Sequence, residues 1–146
     1  MIRPIQEDEV GKLYPLMEQF YLEQKTYIEP FDWEYIEANI KLMINHPNYL
    51  ILIDEEYTCF LIAHVTSNAL LPIYEGFEDY IYVSPDHRGT SRFIRLLTDY
   101  EEWLIEKNIK YSNIGVGTGI MNDKVKELYI RCGYSEYYSG FKKELS

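Results

Sequence analysis

The stretch that most constrains this chain is Tyr80–Thr98, YIYVSPDHRGTSRFIRLLT. Its first residues are apolar and rich in β-formers, as a strand requires. Pro85 ends that run, and Arg88-Gly89-Thr90-Ser91 turns the chain. From Phe93 onward, apolar residues (Phe93, Leu96, Leu97, Tyr100, Leu104) recur at helical spacing. A strand that opens into a helix through a glycine-containing turn aims several backbone N–H groups at one point, where the helix dipole adds partial positive charge. Arg88 and Arg92 add full charges there. Cations at a helix N-terminus oppose the dipole, and a bound anion removes the conflict. The stretch therefore predicts a phosphate-type anion site. The alternative for the two arginines is a solvated helix start.

The flanking elements follow from periodicity. Met1–Ile5 reads as a first strand, limited by Pro4 to an edge or a strand end. Val10, Leu13, Tyr14, Met17, Phe20 and Tyr21 form one stripe of an amphipathic helix, which Pro15 should kink or split. Asp32 caps a second helix with Trp33, Ile36, Ile40 and Met43 along one face, ended by His46-Pro47-Asn48. Tyr49–Ile53 and Tyr57–Val65 pair as a hairpin across Asp54-Glu55-Glu56. Tyr74–Val83 is a further strand, with a bulge expected at Gly76. After the helix that starts near Phe93, Asn108 is the stop. Tyr111–Val116 is the next strand, its end loosened by Gly115, Gly117 and Gly119. A short helix runs from Asn122 or Asp123 to Arg131 and closes at Gly133. Tyr134–Leu145 is expected to be extended, divided near Gly140. The strand–helix–strand unit from Tyr80 to Val116 implies a parallel pair with a right-handed crossover. The fold expected is α/β: a mixed, mostly antiparallel sheet with helices on both faces, in a single domain of residues 1–146.

Composition narrows the function classes. The 146 residues carry a net charge of −10. That disfavours nucleic acid, which needs a basic face, and favours cationic partners such as amines, polyamines or basic peptides. A merely soluble acidic surface is the alternative. Cys59 and Cys132 are too far apart to make a zinc motif or a disulfide framework, and no His/Cys/carboxylate cluster has metal spacing, so no metal is expected. The N-terminus lacks an apolar signal stretch, and no apolar run is long enough to span a membrane, so the expected location is the cytoplasm. Neither G-x-x-x-x-G-K-[ST] nor G-x-S-x-G occurs, which argues against a nucleoside triphosphatase and a hydrolase elbow.

Two stretches carry a family likeness. In Val83-Ser84-Pro85-Asp86-His87-Arg88-Gly89-Thr90-Ser91-Arg92-Phe93, Arg88 opens a Q/R-x-x-G-x-G/A pattern, with Ser91 and Phe93 in place of the small residues. In Asn122 through Tyr134, the residues Asn122, Leu128, Tyr129 and Gly133 match N-x-x-A-x-x-L-Y-x-x-x-G-F, and Tyr134 replaces Phe. With this element order, the chain resembles the GNAT superfamily of acyl-CoA N-acyltransferases over nearly its whole length.

The resemblance implies a layout and a chemistry. The strands ending at Val83 and Val116 would splay for the pantetheine arm of CoA, which would pair with the backbone of Ile81, Tyr82 and Val83. Amides of Arg88, Gly89, Thr90, Ser91, Arg92 and Phe93 would hold the pyrophosphate. Acetyl-CoA would be the acyl donor and a cationic primary amine the acceptor, in a ternary complex. An ammonium has no lone pair and a pKa of about 10, so its deprotonation must be assisted. Asp79 is the first candidate base, where many family members place a Glu, and Glu78 and Glu75 are the substitutes. The alternative for Asp79 is an exposed strand carboxylate. A backbone N–H near Ile81–Val83 is the candidate donor to the oxyanion. Tyr129 would protonate the leaving thiolate, or else simply pack under its helix. Asn122 would bond backbone or the pantetheine arm, or else cap its helix. His64 reads as a core or rim residue. Dimerisation is common among relatives, with the Tyr-rich C-terminal stretch a candidate seam. Two rival readings are a non-catalytic interaction module and an acyl-CoA sensor without turnover.

Overall fold

The computed structural model describes residues 1–116 and 119–145. The chain divides into two compact units: Met1–Leu22 with Pro30–Gly115, and Glu23–Glu29 with the chain from Val116 onward. In the first unit, five strands lie in the order β1 (Ile2–Pro4), β2 (Tyr49–Asp54), β3 (Cys59–Ser67), β4 (Tyr74–Val83) and β5 (Tyr111–Asn113). The first three junctions are antiparallel, and β4 and β5 are parallel, as expected.

Helices cover both faces. Helix α3 (Arg92–Glu106) lays Leu96, Tyr100 and Leu104 against Leu50, Leu52, Leu61 and Ala63 of the sheet. On the opposite face, Phe20 of α1 (Tyr14–Glu23) meets the rings of Phe60, Tyr80 and Tyr82 edge-on at 5.5, 5.7 and 5.2 Å. Pro15 splits the first helical pattern: Glu7–Leu13 is a tighter 3-10 helix, and Pro15 falls in the first turn of α1, where its missing N–H costs nothing. Helix α2 (Trp33–Ile44) is capped as expected, with the Asp32 carboxylate accepting from Tyr35 N–H at 3.1 Å.

Asn108 ends α3 in the left-handed region, with φ +60°. Its N–H donates to Ile105 O, and that of Ile109 donates to Leu104 O. This is a Schellman closure with Asn in the place usually held by glycine.

Four expectations need correction. Strand β3 starts at Cys59, because Tyr57 lies in the left-handed region (φ +56°) inside a turn gathered by the Asp54 carboxylate. Strand β5 stops at Asn113, where its side-chain amide donates to Gly76 O at 3.1 Å. Residues 134–145 form no strand.

The bulge is also not at Gly76, which pairs regularly with Val65 and Ser112. It lies at Asp79: Ile62 pairs with Tyr80 and Ala63 with Glu78, so Asp79 is the extra residue. Glycine is needed at 76 for another reason. A Cβ there would stand 2.4 and 2.6 Å from the two methyls of buried Leu104. Gly76→Val should therefore destabilise the protein by about 2 kcal/mol through overpacking. Urea unfolding checks it, and combining it with Leu104→Ala should cost less than the sum of the two, since both act on one contact.

Candidate functional site

The bulge decides what faces the open side of the sheet. Side chains alternate along a strand, and one extra residue inverts the alternation. Before the bulge Gly76 meets Leu104 of α3, and after it Ile81 and Val83 pack on the α3 side. Between them, Asp79 and Tyr80 both border a cavity of about 250 Å³ on the opposite face, with Met43, Tyr49, Ile62 and His64. Glu78 sits opposite Ala63, whose side chain belongs to the α3 core. Asp79, and not Glu78, thus reaches the cavity. Glu75 is held by the side-chain amides of Asn68 and Asn113, at 3.0 and 3.4 Å.

His64 Nδ1 lies 2.7 Å from Asp79 Oδ2. Its ring is stacked on Phe77, with centroids 5.5 Å apart, and tilted against Tyr49 at 5.6 Å. Burial pushes the Asp79 carboxyl above its ordinary range, and the hydrogen bond and charge of His64 pull it back only in part.

Beyond Val83 the chain enters the expected anion turn. Ser84 is buried, its hydroxyl 2.8 Å from His87 Nδ1, and Pro85–His87 is one 3-10 turn. Gly89 has φ +79° with open space where a Cβ would be, so its requirement is conformational. Thr90 donates its hydroxyl proton to His87 O at 2.6 Å, and Ser91 precedes α3 without a side-chain cap bond. The first N–H groups of any α-helix lack intrahelical partners.

The two arginines differ. Arg88 donates from Nε to Val83 O at 3.0 Å and lies 5.4 Å over the Tyr82 ring, at the turn. Arg92 is taken up elsewhere: Nε donates to Thr58 Oγ1 at 2.9 Å and to Asp54 Oδ2 at 3.2 Å. Its guanidinium ties the start of α3 to the β2–β3 turn, 38 residues back in sequence. Phe93 is partly buried and packs against the core that α3 covers.

The second unit carries α4 (Asn122–Arg131). Its N-cap residue is Met121, with φ +50° and no side-chain cap bond, so Asn122 is not the cap. Asn122 Oδ1 is buried and has no hydrogen-bond partner among the described residues. Such an acceptor costs on the order of 1–3 kcal/mol unless something donates to it. Tyr129 is 6% exposed and is anchored by the helix end. Gly133 (φ +93°) donates to Ile130 O and Tyr134 N–H to Tyr129 O, which brings the two tyrosine rings to 6.1 Å. This is a second Schellman closure, predicted from Gly133. In the same unit, the Lys142 ammonium lies 3.5 Å over the Tyr27 ring.

A strand opening through a glycine turn into a helix, beside a parallel pair that stops short, is the element arrangement that the resemblance implies. Residues 12–134 match the model of the acetyltransferase (GNAT) family. The chain belongs to that family. Solved structures agree on the fold of this GNAT chain. An aminoglycoside acetyltransferase from an uncultured soil metagenomic sample, crystallised with trehalose, superposes with a TM-score of 0.75 at 16% identity, covering 100% of this chain and 96% of that one. A GNAT family acetyltransferase of Staphylococcus aureus gives 0.73 at 21% identity, with 99% and 98% covered. The aminoglycoside antibiotic 6'-N-acetyltransferase of Acinetobacter haemolyticus gives 0.72 at 17%, with 100% and 99% covered. No curated protein matches the sequence significantly. Among the described residues no three His, Cys, Asp or Glu side chains are grouped as a metal would need, and no helix is long and apolar enough to cross a membrane.

Sequence reasoning took His64 as a core or rim residue and missed its pairing with Asp79. Its partner is 15 residues away on the neighbouring strand. The signal that could have found it is strand pairing with the extra residue placed at Asp79 instead of Gly76.

Proposed function

We propose that residues 1–146 work as one cytoplasmic N-acetyltransferase domain that moves an acetyl group from acetyl-CoA to a primary amine by direct attack in a ternary complex. The observation that carries this reading is the way β5 leaves β4. The two pair only from Glu75–Phe77 to Tyr111–Asn113, while β4 runs on to Val83. The backbone of residues 78–83 therefore extends past its parallel neighbour and leads straight into the Gly89 turn. That edge suits the amide-bearing pantetheine arm, and the glycine turn at the start of α3, where Arg92 N–H reaches Thr90 Oγ1 only at 3.4 Å, suits the pyrophosphate. The family pattern assigns Asn122 to the same arm, and its Oδ1 is a buried acceptor lacking a donor among the described residues.

In this reading Arg88 and the amides from Gly89 to Phe93 hold the anion, and Arg92 contributes backbone, since its side chain serves Asp54. Asp79 supplies negative charge on the acceptor side, and the −10 net charge steers a cation toward the protein. Tyr129 is the acid for the leaving sulfur, a phenol whose pKa lies near that of a thiol. Two of the three structures compared above are aminoglycoside acetyltransferases by name, so aminoglycosides belong in the acceptor panel with polyamines and peptide amines.

Titration calorimetry with acetyl-CoA, followed by thiol release with that panel, tests the proposal. Micromolar binding and amine-dependent release are expected. Absence of heat at millimolar acetyl-CoA would overturn it. Arg88→Ala should weaken acetyl-CoA about tenfold, the loss of one charge-assisted hydrogen bond, with turnover at saturation nearly unchanged. An unaltered affinity would place the pyrophosphate elsewhere.

A further inference from the structure

Resting on that acyl-transfer reading, we propose that His64 Nε2 takes the proton from the acceptor amine, and that Asp79 is the positioning residue behind it. The two side chains come from neighbouring strands and meet only because the bulge turns Asp79 onto the His64 face. An ionised carboxylate can only accept a hydrogen bond; paired with one at 2.7 Å, His64 carries its proton on Nδ1 and keeps the lone pair of Nε2. The ring is held between Phe77 and Tyr49, so its orientation is set before an acceptor arrives.

His64 and Asp79 line the same cavity. The other groups there are Tyr49 of β2, Ile62 of β3, Tyr80 of β4 and Met43 of α2, none of them charged at neutral pH. His46 touches the Tyr49 ring at 5.3 Å. Asp79 is thus the one carboxylate lining the cavity among the described residues, and it is placed to stabilise the imidazolium once it forms.

The chemistry favours the imidazole over the carboxylate as the proton's first stop. An amine of pKa about 10 is poorly matched to a carboxylate near 4 and better matched to an imidazole near 6.5. Burial raises the Asp79 carboxyl, and the hydrogen bond and charge of His64 draw it back in part. The ammonium gives one proton to Nε2, and the freed lone pair forms the C–N bond at the thioester carbonyl. The C–S bond breaks with its electron pair on sulfur, which takes a proton from Tyr129. The phenol is restored by the second proton that the nitrogen sheds on becoming an amide, and His64 returns its proton to solvent.

The test uses the fastest acceptor of the amine panel, with His64→Gln and Asp79→Asn variants. His64→Gln should lower kcat about 100-fold at pH 7 while leaving the acetyl-CoA Kd unchanged. The deficit should shrink as the pH rises toward the amine's own pKa, because solvent then supplies the free base. Asp79→Asn should cost about tenfold. Long-range proton–nitrogen NMR should show His64 as the Nδ1–H tautomer in the unaltered protein and a mixture in Asp79→Asn. A His64→Gln enzyme of full activity, or a loss that does not vary with pH, would overturn the assignment and leave the acyl-transfer reading standing. Near-normal His64→Gln beside inactive Asp79→Asn would make Asp79 itself the base. An unaltered protein that neither binds acetyl-CoA nor releases thiol with any amine would remove both.

Discussion

Replacing Asp54 with alanine should lower the unfolding free energy by about 3 kcal/mol, or roughly 10 °C in Tm for a chain of this size. Its carboxylate is the hub of the β2–β3 turn. Oδ1 accepts from Thr58 N–H at 2.6 Å and Cys59 N–H at 3.2 Å, and Oδ2 accepts from the Thr58 hydroxyl and Arg92 Nε. Alanine would leave those donors without their acceptor next to a sheet core. The Arg92 side chain keeps 24% of its exposure, against 6% for Asp54, so water softens the loss and the figure stays at the low end for a broken buried pair. The effect carries a pH signature. Burial pushes the Asp54 carboxyl up, but the bonds from Thr58, Arg92 and Cys59 together outweigh it and hold it below the ordinary range. A group depressed in the folded state stabilises fully above its unfolded pKa of about 4 and loses that contribution as pH falls through its native value. Glu9, gripped by Arg3 and held at about 2, acts in the same window. Denaturant unfolding between pH 7 and pH 2 should show the unaltered protein losing stability steeply on the acid side and Asp54→Ala losing less. Parallel curves would show that the turn draws nothing from the ionised carboxylate.

Tyr129→Phe should lower kcat about 100-fold with the acetyl-CoA Kd unchanged, the scale expected for removing a general acid. The substitution keeps the ring that packs on Tyr134 and the backbone carbonyl that closes the end of α4, so the fold should survive. Pre-steady-state measurement separates chemistry from product release. The deficit should appear in the single-turnover rate and should diminish with an acyl donor whose thiol is more acidic. A Phe variant with normal single turnovers would make Tyr129 a packing residue only.

Much of this molecule was legible locally. Pro15 in a helical stripe, Asp32 as a cap, Asn108 as a stop and Gly133 as a closing glycine each act within a turn or two of chain. Each stands where its chemistry places it. The turn at Arg88–Ser91 and the start of α3 were readable for the same reason. The errors are of another kind. Gly76 looked like a bulge because glycine often marks one, yet it yields space to Leu104, 28 residues later in the chain. Arg88 and Arg92 looked equivalent beside one helix start, and only the position of Asp54 separates them. His64 read as a core or rim residue and does line the cavity, but its pairing with Asp79 on another strand was hidden.

The order of strands and helices as far as α4, the glycine turn before α3 and both helix closures were determined by the sequence itself, since dihedral preference, periodicity and capping act between near neighbours. The tertiary structure alone decided that Asp79 faces the cavity with His64, that Glu78 does not, and that Arg92 serves the fold. The physical reason is the two-residue period of a strand: one unpaired residue inverts every side chain beyond it, and the pairing of β3 with β4 determines where that residue falls.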